Sequence, residues 1–187
     1  MKFDKKSLSN FVFIIFLGLI LFTPVGFHTR VFVSRLLSFS PSVLDKEEQP
    51  TLSNYNWNLV GLDGKTVDFS DLEGKVILLN IWATWCPPCV AEMPNLHDLY
   101  LDYSDRVEFL MVANDEVDKV TAFLTKRKYE FPVYFESSTR PSALESKSIP
   151  TTFIIDKNGN IIVKKIGVAD WNSATTREIL ENLLLKN

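Results

Sequence analysis

The chain has 187 residues, 46% of them hydrophobic, which is enough for one well-packed domain and an additional terminal segment. Its net charge of −3, without a basic block, excludes the electrostatic surface that nucleic-acid binding needs. Two cysteines cannot form a disulfide framework, and the two histidines, His28 and His97, are too far apart in sequence to be a good metal-ligand set.

The N-terminal segment differs from the rest of the chain. Residues 1–10 contain three lysines, and the run from Phe11 to Phe27 carries no charge. As a helix this run would be about 25 Å long, slightly short of the hydrocarbon core of a bilayer. The end of this run and the residues after it, TPVGFHTR, offer no good small-x-small cleavage site and no lipoprotein cysteine. We therefore predict a cytoplasmic n-region over 1–10 and an uncleaved transmembrane signal anchor over 11–27, because lysines favour the cytoplasmic side.

Residues 28–54 are predicted to be a juxtamembrane segment and linker. The first part, VFVSRLLSF, is apolar and either extends the anchor or lies on the membrane surface. The second part, from Ser40 to Asn54, has two prolines, mixed charges and little periodicity, which is typical of a linker.

From Tyr55 onward the pattern predicts a folded α/β domain over 55–187. Alternating apolar and polar residues predict one hairpin around Asp63-Gly64, and IPTTFIID with NIIVKKIG predicts a second around Asn158-Gly159. Between and after the hairpins we predict strands at 75–83, 107–114 and 132–136, helices at 86–103, 116–128 and 173–186, and a short helix near Ala143. This alternation predicts a central mixed β-sheet flanked by helices.

Both cysteines lie in the stretch IWATWCPPCVAEMP, where a buried strand is predicted to meet a helix. A zinc clip normally needs four ligands, and a pair of inert buried thiols is a second interpretation. A redox dithiol is the third. Cys86 at a helix N-terminus would be stabilised as a thiolate by backbone N–H groups and the helix dipole. Cys89 lies one turn along the same face, and Pro87 and Pro88 suit the first helical turn.

The motif WCPPC after an apolar strand, together with Ile149-Pro150 before TTFIID, resembles the thioredoxin superfamily. The resemblance is closer to its membrane-anchored, extracytoplasmic TlpA/ResA-like branch, which includes proteins of cytochrome c maturation. The matching features are ATWCPPCVAEMP, IPTTFIID followed by a glycine turn, and the N-terminal anchor. The resemblance covers Tyr55 to the C-terminus and implies a thioredoxin-like fold.

The resemblance implies a role for each matching residue. Cys86 would be the attacking thiolate and Cys89 the resolving thiol of a redox-active disulfide. Pro150 would be a cis-proline that faces the cysteines, since cis peptides are rare and usually deliberate.

The substrate-binding residues are implied in the same way. The backbone of Ile149 would pair with an extended substrate peptide as an added strand. Trp85 would flank the groove, and Pro87 and Pro88 would complete the substrate-binding set.

One departure from ordinary thioredoxins concerns the proton that Cys89 must lose. Thioredoxins have a buried aspartate six positions before the first cysteine, and Asn80 occupies that position here. Glu92 lies one helical turn after Cys89, where the TlpA/ResA-like pattern has a glutamate. We predict that burial raises the pKa of Glu92 and that this carboxyl handles the proton. The alternative is a solvated surface glutamate.

For the three remaining tryptophans, Trp57, Trp82 and Trp171, we predict packing roles only.

The sequence therefore predicts a membrane-tethered thiol-disulfide oxidoreductase that reduces protein disulfides. The resemblance implies a single pass through the inner (cytoplasmic) membrane, with the catalytic domain in the periplasm or otherwise outside the cytoplasm. Its implied partners are protein thiols and disulfides, including those of apocytochrome c, and a transmembrane thiol donor of the CcdA or DsbD type. No cofactor, metal or nucleic acid is expected.

Two other functions stay open at this point. A thiol peroxidase of the peroxiredoxin type would share the fold, but NIWATW before Cys86 lacks the proline of its pattern. A non-catalytic redox-sensing or binding module would use the disulfide only to change shape.

Overall fold

The computed structural model describes residues 5–185, and for residues 5–8 and 19–22 it describes the backbone only. Residues 1–4 of the predicted n-region and Lys186 at the end of the last predicted helix lie outside the described residues. The helices are α1 (Lys5–Phe22), α2 (Pro24–Leu36), α3 (Pro87–Tyr103), α4 (Val117–Arg127) and α5 (Ala174–Leu185). The strands are β1 (Asn58–Gly61), β2 (Thr66–Asp68), β3 (Ile77–Trp82), β4 (Glu108–Ala113), β5 (Val133–Glu136), β6 (Thr151–Ile155) and β7 (Ile161–Ile166).

The seven strands form one mixed sheet in the order β2-β1-β5-β4-β3-β6-β7. β3, β4 and β5 pair in parallel, whereas β1 joins β5, and β6 joins β3, in antiparallel fashion. The two hairpins form as predicted, β1 with β2 and β6 with β7. The predicted central mixed β-sheet flanked by helices is therefore confirmed.

The interior position of β3 explains its composition. All six of its residues are buried. β4 and β6 cover both edges, α3, α4 and α5 pack on one face, and an apolar cluster that includes Trp57, Phe69 and Leu144 packs on the other. Such a strand reads as a continuous apolar run instead of an alternating one. Asn80 is the one polar residue within it. The cysteine motif, which follows β3 directly, therefore lies at the end of a central strand of the sheet.

The apolar run at 11–27 is divided between two helices. Thr23 breaks the run, with an extended backbone and a side-chain oxygen that accepts a hydrogen bond from the Gly26 N–H at 3.3 Å. Pro24 then occupies the first turn of α2, where a missing N–H costs nothing. Among the described residues, no helix is long and apolar enough to cross a membrane.

The segment predicted as a linker makes regular contacts with the domain. Leu44 and Leu52 donate backbone hydrogen bonds of 2.9 Å to Ile162 and Gly159, respectively. Ile161 donates one of 2.9 Å to Pro50, and the Leu52 side chain is buried. Residues 44–52 therefore run beside β7, which otherwise ends the sheet. The prolines and mixed charges concealed this pairing, because it needs only backbone groups.

Candidate active site

The two cysteines lie at the start of α3, directly after the central strand β3. They are joined by a disulfide, and both are buried. Cys86 is the N-cap residue of α3, and its sulfur accepts a hydrogen bond from the Cys89 N–H at 3.3 Å. A helix N-terminus has unpaired N–H groups and the positive end of the helix dipole. When the disulfide is reduced, these groups stabilise negative charge on the Cys86 sulfur.

The residues around the disulfide differ in how far solvent reaches them. Pro87 and Pro88 occupy the first turn of α3 and are half-buried. Trp85 is 59% exposed, the greatest exposure of any residue in the motif. An exposed indole beside a buried disulfide offers an apolar surface to an incoming polypeptide.

A second loop lies across from the cysteines. The peptide bond between Ile149 and Pro150 is cis, in agreement with the implied cis-proline. The Ile149 carbonyl oxygen lies 3.8 Å from the Cys86 sulfur. The Pro150 carbonyl accepts a hydrogen bond of 2.9 Å from Gly167, so the β6–β7 hairpin holds this loop in place. The structure thus brings together the predicted residues from two distant motifs.

Glu92 lies in the interior behind the disulfide, only 1% exposed, so it is not the solvated surface residue of the alternative interpretation. Its Oε1 accepts a hydrogen bond of 2.8 Å from the Asn80 side chain. Its Oε2 accepts one of 3.2 Å from the Ala169 N–H and one of 2.9 Å from the Trp171 indole. The Asn80 amide also donates to Thr152 at 2.7 Å, which fixes its orientation.

Burial raises the pKa of Glu92 to about 8, far above its ordinary value of 4.5. The hydrogen bonds from Trp171, Asn80 and Ala169, and the positive charge of Lys165, act in the opposite direction and only partly offset burial. A carboxyl group with a pKa near neutral pH can both accept and donate a proton under working conditions.

A second carboxyl group supports the loop in front of the cysteines. Asp115 follows β4 and is half-buried. Its carboxylate accepts hydrogen bonds from the Thr84 N–H at 3.0 Å, from the Thr84 hydroxyl and from the Glu116 N–H at 2.8 Å. Thr84 immediately precedes Trp85, so Asp115 holds the backbone that carries the exposed indole.

The prediction that Trp171 has only a packing role was wrong. Its indole N–H bonds to Glu92, 79 positions away in the chain. Trp57 and Trp82 are as fully buried, and their indole N–H groups have no hydrogen-bond partner among the described residues. No sequence signal separates the three tryptophans, because the contact depends on where the β7–α5 connection packs.

Within residues 5–185, no cluster of three or more His, Cys, Asp or Glu side chains could hold a metal ion. A cysteine pair at a helix N-terminus, a facing cis-proline and a buried carboxyl group on a thioredoxin-like sheet together define a dithiol–disulfide oxidoreductase.

Comparisons with known proteins agree with this class. The Redoxin family model matches residues 44–184, and the chain belongs to that family. It is 37% identical over 134 residues to the thiol-disulfide oxidoreductase ResA of Bacillus cereus, covering 70% of this chain and 74% of that protein. The chain is thus a ResA/TlpA-like member of the thioredoxin superfamily and a thiol-disulfide oxidoreductase.

Solved structures have the same fold. A Chlorobium tepidum structure assigned as a thiol:disulfide interchange protein DsbE superimposes with a TM-score of 0.59 at 26% identity, over 79% of this chain and 99% of that one. A DsbF homologue from Corynebacterium diphtheriae gives a TM-score of 0.60 at 18% identity, over 75% of this chain and 92% of that one. At 18% identity the second likeness concerns the fold alone.

Proposed function

We propose that this oxidoreductase is a reductant of protein disulfides that works outside the cytoplasm, held to the inner membrane by its N-terminal segment. The observation that carries the exchange chemistry is the Glu92 carboxyl, buried one helical turn from Cys89 and raised in pKa to about 8. Such a carboxyl serves exchange in either direction, so the reducing direction rests on the resemblance to the TlpA/ResA-like branch. A resolving thiol in a dry interior needs a nearby proton acceptor, and this carboxyl is placed to be one.

The reaction follows from this geometry in two thiol–disulfide exchanges. The Cys86 thiolate attacks one sulfur of a substrate disulfide, which forms a mixed disulfide and releases the first substrate thiolate. Cys89 then loses its proton to Glu92 and attacks the Cys86 sulfur. The substrate leaves with both sulfurs reduced, and the enzyme keeps the Cys86–Cys89 disulfide that the structure contains.

A thiol donor must reverse these steps before the next turnover. The donor thiolate attacks the Cys86 sulfur, the Cys86–Cys89 bond breaks, and protonated Glu92 gives a proton to the departing Cys89 sulfur. A second thiol of the donor then attacks the mixed disulfide, which frees the Cys86 thiolate and leaves the donor with a disulfide. Because the electrons come from the cytoplasm in this proposal, we assign the donor role to a transmembrane thiol carrier of the CcdA or DsbD type. Tethering supports this assignment, since it raises the effective concentration of the enzyme near a membrane-embedded donor.

The loop at Ile149 and Pro150 is assigned to substrate binding. The Ile149 carbonyl, 3.8 Å from the Cys86 sulfur, lies where the backbone of a bound peptide must pass. An extended peptide there pairs with the loop through its main chain, which accepts many sequences. Trp85, Pro87 and Pro88 supply apolar contacts beside it. We include the CxxCH haem-attachment cysteines of apocytochrome c among the substrates.

The membrane tether is supported by the sequence and by the surface of α1. Lys5 and Lys6 precede an uncharged run, and the side chains described from Phe11 to Leu17 are all large, apolar and exposed. An exposed apolar surface of this extent marks an interaction site. Carbonate extraction of membranes from expressing cells tests the tether: retention in the pellet supports it, and release into the supernatant contradicts it.

The direction of the reaction is tested by the reduction potential of the Cys86–Cys89 pair. The full chain in detergent is equilibrated in defined thiol buffers, and the reduced fraction is read by alkylation. We expect a potential near that of thioredoxin, about −270 mV. A potential near that of the oxidant DsbA, about −120 mV, would make the protein a disulfide donor and contradict the proposed direction.

A further inference from the structure

The helix that precedes the domain is bound to the active-site helix. Val31 of α2 is buried in a small cluster with Val90 and Ala91 of α3. The Arg35 guanidinium also donates a hydrogen bond of 3.3 Å to the Ala91 carbonyl. Because α3 begins at the cysteine motif, α2 is fixed relative to the reactive disulfide.

A different face of α2 is apolar and uncovered. Val25, Phe32 and Leu36 are 73%, 62% and 67% exposed. Their spacing of seven and four residues places them on one stripe of the helix. Leu37 and Phe39 extend the exposed apolar surface beyond the end of α2. The stripe is too regular and too apolar to be ordinary solvent-facing surface.

The charges around this stripe identify its partner. From residue 23 to residue 44 the sequence contains no Asp or Glu, and its charged residues are Arg30 and Arg35. A helix with an apolar face and cationic flanks suits the interface of an anionic bilayer. Continuity points the same way, because α1 ends at Phe22 and α2 begins at Pro24.

We propose that α2 is an interfacial helix that binds an anionic lipid surface through Val25, Phe32 and Leu36 while its other face holds α3. This inference rests on the proposed membrane tether and goes beyond it, because a tether alone leaves the domain free to tumble. With α2 between them, the disulfide stands about one helix diameter, roughly 10 Å, from the lipid.

The proposal also places a groove beside the active-site prolines on the membrane side of the domain. A groove of about 420 Å³ lies between α2 and the active-site prolines, lined by Thr29, Arg30, Val33, Ser34, Pro87 and Pro88. A thiol carrier that projects from the bilayer therefore meets the disulfide from the α2 side.

Tryptophan probes in the full chain test the orientation of α2. The protein is reconstituted into vesicles of phosphatidylcholine and phosphatidylglycerol, with or without brominated acyl chains, and the emission of the parent chain is subtracted. Phe13→Trp reports on α1, Phe32→Trp on the proposed lipid face, and Leu62→Trp on an exposed loop of the domain. We expect brominated lipid to quench the added emission of Phe13→Trp and Phe32→Trp and to leave that of Leu62→Trp unchanged.

The failures of the two proposals are distinguishable in this design. If Phe13→Trp is quenched and Phe32→Trp behaves like Leu62→Trp, the tether stands and the lipid face is wrong. That result is also the one expected if a protein covers the stripe, because these vesicles contain no other protein. If Phe13→Trp is not quenched either, the tether falls together with the lipid face. Turnover of a soluble disulfide by the same samples reports the oxidoreductase activity separately.

The need of α2 for anionic lipid is tested by changing the composition of the vesicles. In vesicles of phosphatidylcholine alone, we expect quenching of Phe32→Trp to fall severalfold while that of Phe13→Trp is unchanged, because the α2 interaction uses anionic lipid. Equal quenching of Phe32→Trp in both vesicle types would overturn the assignment of an anionic surface.

Discussion

Two carboxyl groups flank the active-site segment, and the protein shifts their pKa values in opposite directions. Glu92 and Asp115 each accept three hydrogen bonds from described residues. Burial raises the pKa of Glu92 to about 8. Burial also acts to raise the pKa of Asp115, but hydrogen bonds from Thr84 and Glu116 outweigh it and leave the pKa below its ordinary value.

Hydrogen bonding alone does not decide which of these two carboxyl groups can accept and donate a proton. Both groups have a similar set of donors, and they differ in how much water they have lost. Asp115 is half-buried and stays ionised, so it serves as a fixed acceptor for the Thr84 loop. Glu92 is fully enclosed, so its charged form is costly and its proton is exchangeable near neutral pH. Asp115 therefore holds the Thr84 loop in place, and Glu92 is the carboxyl that can take part in proton transfer.

Replacing either cysteine should have the largest effect on disulfide reduction. Cys86→Ser removes the attacking sulfur, so reduction of a protein disulfide should fall to the uncatalysed rate. Cys89→Ser keeps the attack and removes the resolving step, so it should accumulate mixed disulfides that non-reducing gels detect. Residual turnover by Cys86→Ser would contradict the assignment of Cys86 as the nucleophile.

Glu92→Gln should have the next largest effect. It removes the proton acceptor with little change in shape, and we expect a loss on the order of 10²-fold in the rate of disulfide reduction. The pH–rate profile of the parent should contain an ionisation near 8 that the variant lacks. Asp115→Asn is the matched control, because it also neutralises a carboxyl near the site. An unchanged rate and profile in Glu92→Gln would rule out the proton-handling role.

The same two carboxyls should act on stability at opposite ends of the pH range. The pKa of Glu92 is raised from 4.5 to about 8, so its contribution is present below pH 4.5 and is lost as pH rises through about 8. Relative to Glu92→Gln, the unfolding free energy of the oxidised parent should fall by about 1.4 kcal/mol per pH unit in that window. The lowered pKa of Asp115 gives a contribution present above pH 3.8 and lost in acid. Urea unfolding across pH measures both, and parallel curves for parent and Glu92→Gln would refute the first.

Trp171→Phe should remove one hydrogen-bond donor from Glu92. The indole hydrogen bond lowers the pKa of Glu92, so its loss should raise that pKa above about 8 and move the pH–rate profile to higher pH. Trp82→Phe and Trp57→Phe are matched controls, since each removes a buried indole N–H without a partner among the described residues. A profile shift of the same size in all three variants would show a packing effect instead.

Asp115→Asn should have the smallest effect on the chemistry. The amide can still accept from Thr84, but the charge is lost, and we expect a loss of stability of about 1 kcal/mol. The rate of disulfide reduction should change by less than about threefold, with no movement of the pH–rate profile. A shift of the pH–rate profile in Asp115→Asn as large as that in Trp171→Phe would contradict the assignment of Asp115 as a residue that only supports the Thr84 loop.

Much of the site could be predicted because it lies in two short motifs. Helix spacing places Cys86, Cys89 and Glu92 in consecutive turns, and the burial of Glu92 was expected from the glutamate that the TlpA/ResA-like pattern has at this position. Alternation and turn residues predicted the hairpins and the mixed sheet, and both are confirmed. These features depend on local pattern, which a sequence displays directly.

The rest depends on contacts between distant segments. Trp171 reaches Glu92 only because the β7–α5 connection packs behind α3, and nothing in its neighbours marks it. The pairing of residues 44–52 with β7 uses backbone hydrogen bonds, which leave no side-chain pattern. The break at Thr23 is a side-chain cap followed by a proline, a local signal that the long uncharged run obscured. The packing of α2 on α3 was hidden for a related reason, since an apolar helix near a predicted anchor looks the same whether it binds lipid, protein or both.

The most direct test of the account is a titration of the Glu92 carboxyl itself. Infrared difference spectra of the oxidised protein, with Glu92→Gln as the reference, isolate the carbonyl band of protonated Glu92 as pH is raised from 5 to 10. We expect this band to be present at pH 7 and to disappear with a pKa near 8. A carboxylate already ionised at pH 7, with a pKa near the ordinary 4.5, would contradict the claim that burial makes Glu92 the proton carrier of the site.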